Sequence, residues 1–357
     1  MTYQELATYS NYALYSAMGV LTLTMLAYAG YLAGLMPTRS EEKDAARKDS
    51  AQRDAAHKDA TRNSAARQEA PRTAELVGAA AGGRIAAGGD VDDRPRETPA
   101  PGNLDEGVSP GTRKIGGIAG SLAWLGTALL LVSVTLRGAS VQRAPLGNLF
   151  EFAVVACLAI MLAFCLWSTR RDLRWLGLFV VTPVLLVLGV ALVSWYTEAA
   201  ELMPSLQSYW LVIHVSVAVI ATAVFFLGAA VGVLYLWQDK VEQTGARSIL
   251  NRFPSSRSLE RLTYGLHIIA FPLWSFTLIA GAIWARQAWA SYWNWDPKEV
   301  WTFVIWVVYA AYLHARVTSG WSKQRATYIA LAGFVCIIIN YTVVNLFFVG
   351  QHSYSGL

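Results

Sequence analysis

Long continuous runs of apolar residues constrain the fold of this chain more than any other feature of its sequence. Hydrophobic residues make up 55% of the chain and charged residues only 15%, so the runs are rarely interrupted. They are not amphipathic stripes, and this pattern is typical of helices that cross a membrane. We therefore predict an all-α polytopic membrane protein. About eight transmembrane helices are expected, at residues 12–35, 115–136, 149–167, 175–193, 209–237, 262–284, 300–317 and 327–349.

The charges of the short loops predict how these helices are oriented. The segments 168–174, 238–262 and 316–325 are basic, whereas the only charged residues of 195–209 are acidic. Because cytoplasmic loops retain Lys and Arg, both termini are expected outside the cytoplasm. The first apolar run is long and lacks a basic start, so no cleavable signal is expected. These features predict a multi-pass protein of a bacterial plasma membrane.

A hydrophilic insert divides the chain into three parts. Residues 38–114 contain almost no aromatic or branched apolar residues, which predicts a largely disordered cytoplasmic linker. The linker separates an N-terminal transmembrane helix at 1–37 from a seven-helix domain at 115–357. Its 14 basic and 14 acidic residues cancel, so the net charge of +5 belongs to the membrane part. That charge therefore reflects topology, and no nucleic-acid partner is predicted.

A tryptophan-rich segment at 289–301, which we call the tryptophan segment, precedes the seventh span. Three of its tryptophans fall within seven residues: Trp289, Trp293 and Trp295. Interfacial aromatic belts account for a single tryptophan such as Trp301, but not for this density. Asp296 suits a helix N-cap and Glu299 completes a capping box, so DPKE is predicted to begin a helix. The remaining aromatic surface is large enough for a porphyrin to stack on it.

The histidines outside the insert differ in their depth in the membrane. His214, near the outer end of the fifth span, and His352, after the last span, lie on the same face as the tryptophan segment. They are candidates for both axial nitrogens of a haem iron. His314 lies thirteen residues after Trp301, roughly 20 Å into a core about 30 Å thick. An ionisable residue at that depth is costly, so a function is expected for it.

Two interpretations of His314 stand open. Val307, Ala310 and Ala311 precede it at helical spacings and leave a low surface that a flat ligand can approach. Alternatively, these small residues let helices pack closely while His314 bonds to a neighbouring carbonyl. His267, near the inner end of the sixth span, is expected to be a satisfied interfacial histidine.

The stretch WASYWNWDPKEVWTFVIWVVYAAYLHAR, at 289–316, resembles the WWD signature of cytochrome c assembly proteins. The similarity is to the CcsA/ResC branch of the System II pathway, and it extends from about residue 115 to the C-terminus. It implies that haem b is both substrate and bound ligand. The cofactor-binding residues implied by the resemblance are Trp289, Trp293, Trp295, Asp296 and Trp301, with His214, His314 and His352 as axial ligands of the haem iron.

The resemblance also implies an enzyme, a holocytochrome c synthase that delivers haem across the membrane. It would attach haem covalently to an apocytochrome c with a Cys-x-x-Cys-His segment, with His214 and His352 as catalytic residues. His314 would share haem with a histidine of a ResB-like membrane partner. The three cysteines lie within spans and form no Cys-x-x-Cys pair, so a thioredoxin-like protein is expected to reduce the apocytochrome. Ala290 departs from the usual Gly and is expected to place a methyl near the haem plane.

Two other functions remain as alternatives at this point. One is a haem exporter without synthase activity. The other is a proton-coupled secondary transporter in which His314 relays protons, which requires further intramembrane acids such as Glu151. Arg137 and Arg143, in an outer loop, are candidate contacts for the haem propionates.

Overall fold

The computed structural model of the chain describes residues 2–36, 50–51, 58, 108–200, 202, 206–246 and 248–352. Within these residues, eight helices are long and apolar enough to cross a membrane. They are α1 (Tyr3–Gly34), α2 (Pro110–Val141), α3 (Leu149–Ser168), α4 (Arg174–Ser194), α5 (Tyr209–Thr244), α6 (Ser256–Trp289), α7 (Pro297–Val317) and α8 (Lys323–Tyr341), the last extended by α9 (Val343–Phe347). Each predicted span overlaps one of these helices, so the prediction of an all-α chain with eight spanning helices is confirmed.

The end of the predicted linker is helical. Residues 38–49, 52–57 and 59–107 lie outside the described residues, but α2 begins at Pro110 and so includes the last residues of the predicted 38–114 segment. The hydroxyl of Ser109 accepts the N–H of Thr112 (3.2 Å), and Pro110 occupies the first helical position. Ser–Pro at these positions is a strong helix start, and it places the beginning of α2 before the first apolar residue.

Two apolar cores organise the helices. The first joins α1–α4 to the C-terminal half of α5, and the second joins α5, α6, α7 and α8. In the second core, Phe225 stacks on Tyr309 with 3.8 Å between ring centroids. The indole N–H of Trp274 donates to the carbonyl of Thr302 (3.1 Å) and so links α6 to α7. α5 and α6, which belong to this core, also carry residues of the candidate site.

His267 lies inside the second core. It is 0% exposed, and its imidazole packs against Tyr309 with 5.4 Å between centroids. Nδ1 is 2.7 Å from the carbonyl of Thr263, while Nε2 has no hydrogen-bond partner among the described residues. Gly228 makes the space, because a Cβ there would be 2.6 Å from the imidazole. His267 is therefore enclosed by its own chain, for a packing reason that sequence spacing does not reveal.

Candidate functional site

A cavity of ≈ 460 Å³ opens within the helix bundle, at the end that carries the tryptophan segment. Its size falls within the range of ligand pockets, and most of its lining is apolar. Residues of α3, α4, α5, α6, α7, α8 and α9 contribute to its walls. The polar and aromatic side chains that line it include His214, Thr277, Trp284, Tyr292, Trp293, Lys298, Glu299, Asn340 and His352.

His214 reaches this cavity from the second turn of α5. Its Nδ1 is 3.0 Å from the carbonyl of Thr277 on α6, and a carbonyl can only accept, so Nδ1 carries the proton. Nε2 then keeps its lone pair. Gly281 allows this approach, since a Cβ at that position would be 2.8 Å from the imidazole. Donation from one ring nitrogen to a carbonyl is the usual arrangement of a histidine whose other nitrogen binds a metal.

His352 reaches the same cavity from the segment after α9. Its Nδ1 is 2.8 Å from Oδ1 of Asp296, so the neutral imidazole donates from Nδ1 and keeps a lone pair on Nε2. The imidazole packs against Trp289, with 4.8 Å between centroids, and against Trp284, with 6.2 Å. His214 packs against the same indole, with 5.8 Å between the ring centroids of His214 and Trp284. The two predicted outer histidines are therefore brought together around one buried tryptophan.

Asp296 connects His352 to the start of α7. One carboxylate oxygen accepts the N–H of Lys298 (2.9 Å) and the other accepts the N–H of Gln351 (2.6 Å). The capping box with Glu299 is present, as predicted. Burial raises the pKa of the Asp296 carboxyl, but the hydrogen bonds from His352, Lys298 and Gln351 outweigh it and hold the pKa below its usual value. Asp296 is therefore a carboxylate at neutral pH, which suits an acceptor for His352.

The tryptophans of the segment do not share one orientation. Trp293 lines the cavity. Trp289 does not, and it packs against Trp284 with 5.3 Å between ring centroids. Trp295 is 76% exposed, and its ring is at 87° to that of Trp293. Its backbone has φ 56°, a left-handed conformation that is uncommon for a bulky residue. Trp301 does not line the cavity either, so the rings do not form the single flat platform that the sequence suggested.

Ala290 has a different role from the one expected. It does not line the cavity, and it ends α6 in the left-handed conformation, with φ 59°. Gly is favoured at this helix-terminating position because it adopts a positive φ without steric cost. The departure from Gly therefore concerns the turn after α6 and not a methyl group beside a bound ring.

Two residues of the site were missed by sequence reasoning. Trp284 is 2% exposed and contacts both cavity histidines, but in the sequence it looks like the end of an apolar run. Lys298 lines the cavity, whereas its sequence pattern indicates only a helix start. A lysine at the beginning of a membrane span was the available signal for it, since charges there usually face the bundle interior or snorkel to the interface.

His314 lies away from the cavity, on the exposed face of α7. It follows Pro297 by seventeen residues, which is roughly 26 Å along the helix. Val307 and Ala311 are exposed on the same face. Within the part of the chain that the structure describes, the imidazole makes no hydrogen bond, so the predicted bond to a neighbouring carbonyl is not seen. The ring remains open to a molecule outside the described chain.

Arg137 and Arg143 are occupied by a buried carboxylate. Nε of Arg137 is 3.1 Å from Oε1 of Glu151, and Nη1 of Arg143 is 2.8 Å from Oε2. Each arginine also donates to a carbonyl of the loop after α4, at Thr197 and Ala200. None of the three side chains lines the cavity. Neither the propionate role suggested for the arginines nor a proton-relay role for Glu151 gains support from this arrangement.

Comparison with known sequences fixes the family. The family described as "Cytochrome C assembly protein" matches residues 115–352, about two thirds of the chain. The chain belongs to the cytochrome c assembly protein family. The matched range begins within α2 and contains the tryptophan segment, His214, His314 and His352, whereas α1 and the predicted insert lie outside it.

Relatives named "Cytochrome c biogenesis protein CcsA" give the same result. The one from Guillardia theta is 34% identical over 232 residues, which cover 60% of this chain and 77% of that protein. The one from Pyropia yezoensis is 31% identical over 286 residues, covering 68% and 89%. The one from Parasynechococcus marenigrum (strain WH8102) is 32% identical over 269 residues, covering 67% and 87%. The resemblance to CcsA is confirmed, and cytochrome c biogenesis is the role of this family member.

Proposed function

We propose that this protein is a holocytochrome c synthase that binds haem b in the cavity and attaches it to an apocytochrome c. The observation that carries the proposal is the pairing of His214 and His352 in one cavity, each with Nδ1 engaged and Nε2 left for a metal. Two imidazole nitrogens are a common axial set for haem iron. The family's role in cytochrome c biogenesis makes haem the expected substrate.

The lining of the cavity suits a large aromatic ring system. Its walls are mainly apolar, and Trp284, Trp293 and Tyr292 offer aromatic faces and edges. Such surroundings favour a flat hydrophobic molecule over water. A haem substrate would be held at its iron by the histidines and at its periphery by these rings. The axial ligands lie on different elements, α5 and the segment after α9, so ligation also ties these elements together.

The proposed reaction requires mainly that the apocytochrome and the haem are positioned correctly. In the proposed reaction, the histidine of the Cys-x-x-Cys-His segment displaces one axial ligand, which brings the two cysteines to the haem vinyl groups. Each thiol adds across a vinyl: the S–H bond and the π bond break, and an S–C bond and a C–H bond form. The addition needs no oxidant or reductant. Holding both partners in this geometry makes each addition effectively intramolecular.

His352 is the better candidate for the displaced ligand. It follows α9 in a short non-helical segment, and it contacts the protein mainly through Asp296, Trp284 and Trp289. His214 lies within α5 and is fixed by Thr277 and by the backbone of its helix. We therefore assign His214 the role of retained ligand and His352 the role of exchangeable ligand.

His314 is proposed to receive haem before it reaches the cavity. Its exposed position on α7 is suited to sharing the iron with a histidine of a ResB-like membrane partner, because no described group of this chain competes for the ring. The basic loops lie at the opposite end of the helices from the tryptophan segment, which supports a cytoplasmic location for that end. Haem would then move outward along the bundle to the cavity.

Reduction of the apocytochrome thiols is assigned to a separate thioredoxin-like protein. Cys157 and Cys165 are buried, Cys336 is half-buried, and all three are free thiols. They lie within α3 and α8, so they do not offer a redox pair at the cavity. The second substrate of the proposed reaction is therefore an apocytochrome with both thiols already reduced.

Covalent product formation tests the proposal and separates the two haem positions. The purified complex with its ResB-like partner is mixed with reduced apocytochrome c and ferrous haem, and the haem-linked product is measured by its mass. We expect His214→Ala to lower product formation at least roughly a hundredfold, since an axial ligand is lost. We expect His314→Ala to abolish holocytochrome formation in cells but to form product when haem is added to the detergent-solubilised complex.

The controls distinguish the alternatives. His57→Ala, in the hydrophilic insert, is the matched histidine substitution and should behave as wild type. Normal product formation by His214→Ala would refute the synthase assignment to this cavity. Haem bound by the wild type without any covalent product would favour the exporter. Preparations that bind no haem at all would favour the proton-coupled transporter.

Asp296→Asn is expected to weaken haem binding roughly tenfold to a hundredfold, as substitutions of groups that orient metal-binding histidines do. Asparagine preserves the N-cap of α7, so the change in haem affinity reports the loss of the negative charge beside His352. The pKa of Asp296 is lowered in the folded protein, so the Asp296 carboxylate stabilises the fold above the unfolded-state pKa of about 4. This stabilisation is lost as the pH falls further, through the pKa of the folded state. Haem titration followed by absorbance measures the affinity. Asp172→Asn, in the loop before α4, is the control, and equal affinities for the two variants would contradict the prediction.

A further inference from the structure

A lysine side chain lines the cavity without a carboxylate partner. Lys298 is the second residue of α7, and its Nζ donates to the carbonyl of Asn340 on α8 (2.6 Å). Among the described residues that line the cavity, it is the only Lys or Arg. It shares this cavity with His214 and His352.

The hydrogen bond to Asn340 accounts for only part of what this ammonium group can do. α8 ends at Tyr341, so the carbonyl of Asn340 is among the last four and lacks an intrahelical donor. Lys298 supplies that donor with one of its three N–H groups. A capping role therefore leaves two N–H groups, and it does not explain why the amine of Lys298 faces an apolar cavity.

Neither neighbouring carboxylate pairs with Lys298, although Oε1 of Glu299 has no hydrogen-bond partner among the described residues. Asp296 accepts from His352 and from backbone N–H groups. One oxygen of Glu299 accepts the N–H groups of Asn294 and Asp296. Across the described part of the chain, no carboxylate oxygen lies within ion-pair distance of Nζ of Lys298. A cation in apolar surroundings is costly without an anion nearby, so a ligand that brings an anion gains from it.

We propose that Lys298 recognises a carboxylate of the molecule bound in the cavity, and that this carboxylate is a propionate of haem. The inference rests on the proposed function, because it takes haem as the ligand. Haem carries its carboxylates on its periphery, away from the iron, so histidines and a lysine in one cavity can contact different parts of it. The arginines suggested by the sequence are excluded from this role by their pairing with Glu151.

The affinity for haem b is compared with that for haem dimethyl ester, which has the same ring and iron but no free carboxylate. Wild-type protein in a neutral detergent, free of anionic lipid, is expected to bind haem b roughly tenfold to a hundredfold more tightly, the effect of a charge-assisted hydrogen bond. Lys298→Gln should lose this preference, with unchanged affinity for the ester. Lys298→Arg should keep it.

Lys323→Gln is the matched control, because it removes a lysine charge at the other end of the bundle, where Lys323 pairs with Glu260 at 3.4 Å. It should bind both ligands as wild type does. Equal weakening of both ligands by Lys298→Gln would mean that Lys298 only caps α8, and would overturn the proposal. A wild type without preference would overturn it independently of any variant. If wild type binds neither ligand in a His214-dependent manner, the proposed function itself fails.

Discussion

Gly281→Val is expected to abolish ligation of haem by His214, whereas Gly265→Val, on the same helix, should leave it intact. A Cβ at Gly281 would lie 2.8 Å from Cε1 and 3.1 Å from Nδ1 of His214, so a branched side chain must displace the imidazole. At Gly265 nothing lies within 4 Å of an added Cβ. Trp284 packs against His214, so the ring has little room to move in response. The displaced imidazole would also lose its hydrogen bond to Thr277.

The visible spectrum of the haem complex measures this effect. We expect wild type and Gly265→Val to show low-spin, two-histidine haem, and Gly281→Val to show a five-coordinate or unligated spectrum with affinity lowered at least roughly a hundredfold. Both variants change glycine to valine within α6, so the helix-propensity effect is similar. Overpacking at Gly281 also costs about 1–3 kcal/mol of stability, which thermal unfolding would detect. An unchanged low-spin spectrum in Gly281→Val would mean that His214 is not the ligand.

The sequence predicts the elements of this site better than their arrangement. The apolar runs locate all eight helices, because hydrophobic length alone identifies a membrane span. The capping box at Asp296 and Glu299 is a local pattern, and it is present in the structure. Placement of His214 and His352 on one face follows from counting spans. Their meeting in one cavity follows from helix packing, which the sequence pattern does not specify.

The parts that sequence reasoning missed all depend on tertiary contacts or on single dihedral angles. Trp284 becomes central because α5 and the segment after α9 converge on it. Trp295 is exposed and has a φ of 56°, and no residue pattern predicts a positive φ for a tryptophan. His267 is buried because Gly228 lies opposite it on α5. In each case the local sequence fits its helix or loop, and the neighbour that decides the outcome is distant in the chain.

Glu151→Gln is expected to cause the largest loss of stability among single substitutions outside the cavity. The side chain of Glu151 is 0% exposed and pairs with both Arg137 and Arg143. It also accepts the N–H of Gly147 (2.8 Å). Removing its charge leaves two guanidinium groups without a counter-ion in a buried place, and breaking such a pair typically costs about 3–5 kcal/mol. Thermal unfolding in detergent, with Glu198→Gln at an exposed position as control, measures the difference.

The ion pairs of Glu151 also hold one wall of the cavity in place, so Glu151→Gln should affect haem binding as well as stability. Arg143 donates to the carbonyl of Ala144, and Glu151 holds Gly147, so the segment 144–148 is tied down where it lines the cavity. We expect Glu151→Gln to weaken haem binding, and Glu151→Leu combined with Arg137→Met and Arg143→Met to recover stability, because an apolar replacement of a whole buried network is often neutral. If the triple variant recovers stability without recovering haem affinity, the network orders the cavity wall as well as stabilising the fold. A Glu151→Gln variant as stable as Glu198→Gln would show that water or lipid satisfies the two arginines, and would contradict this account of the wall.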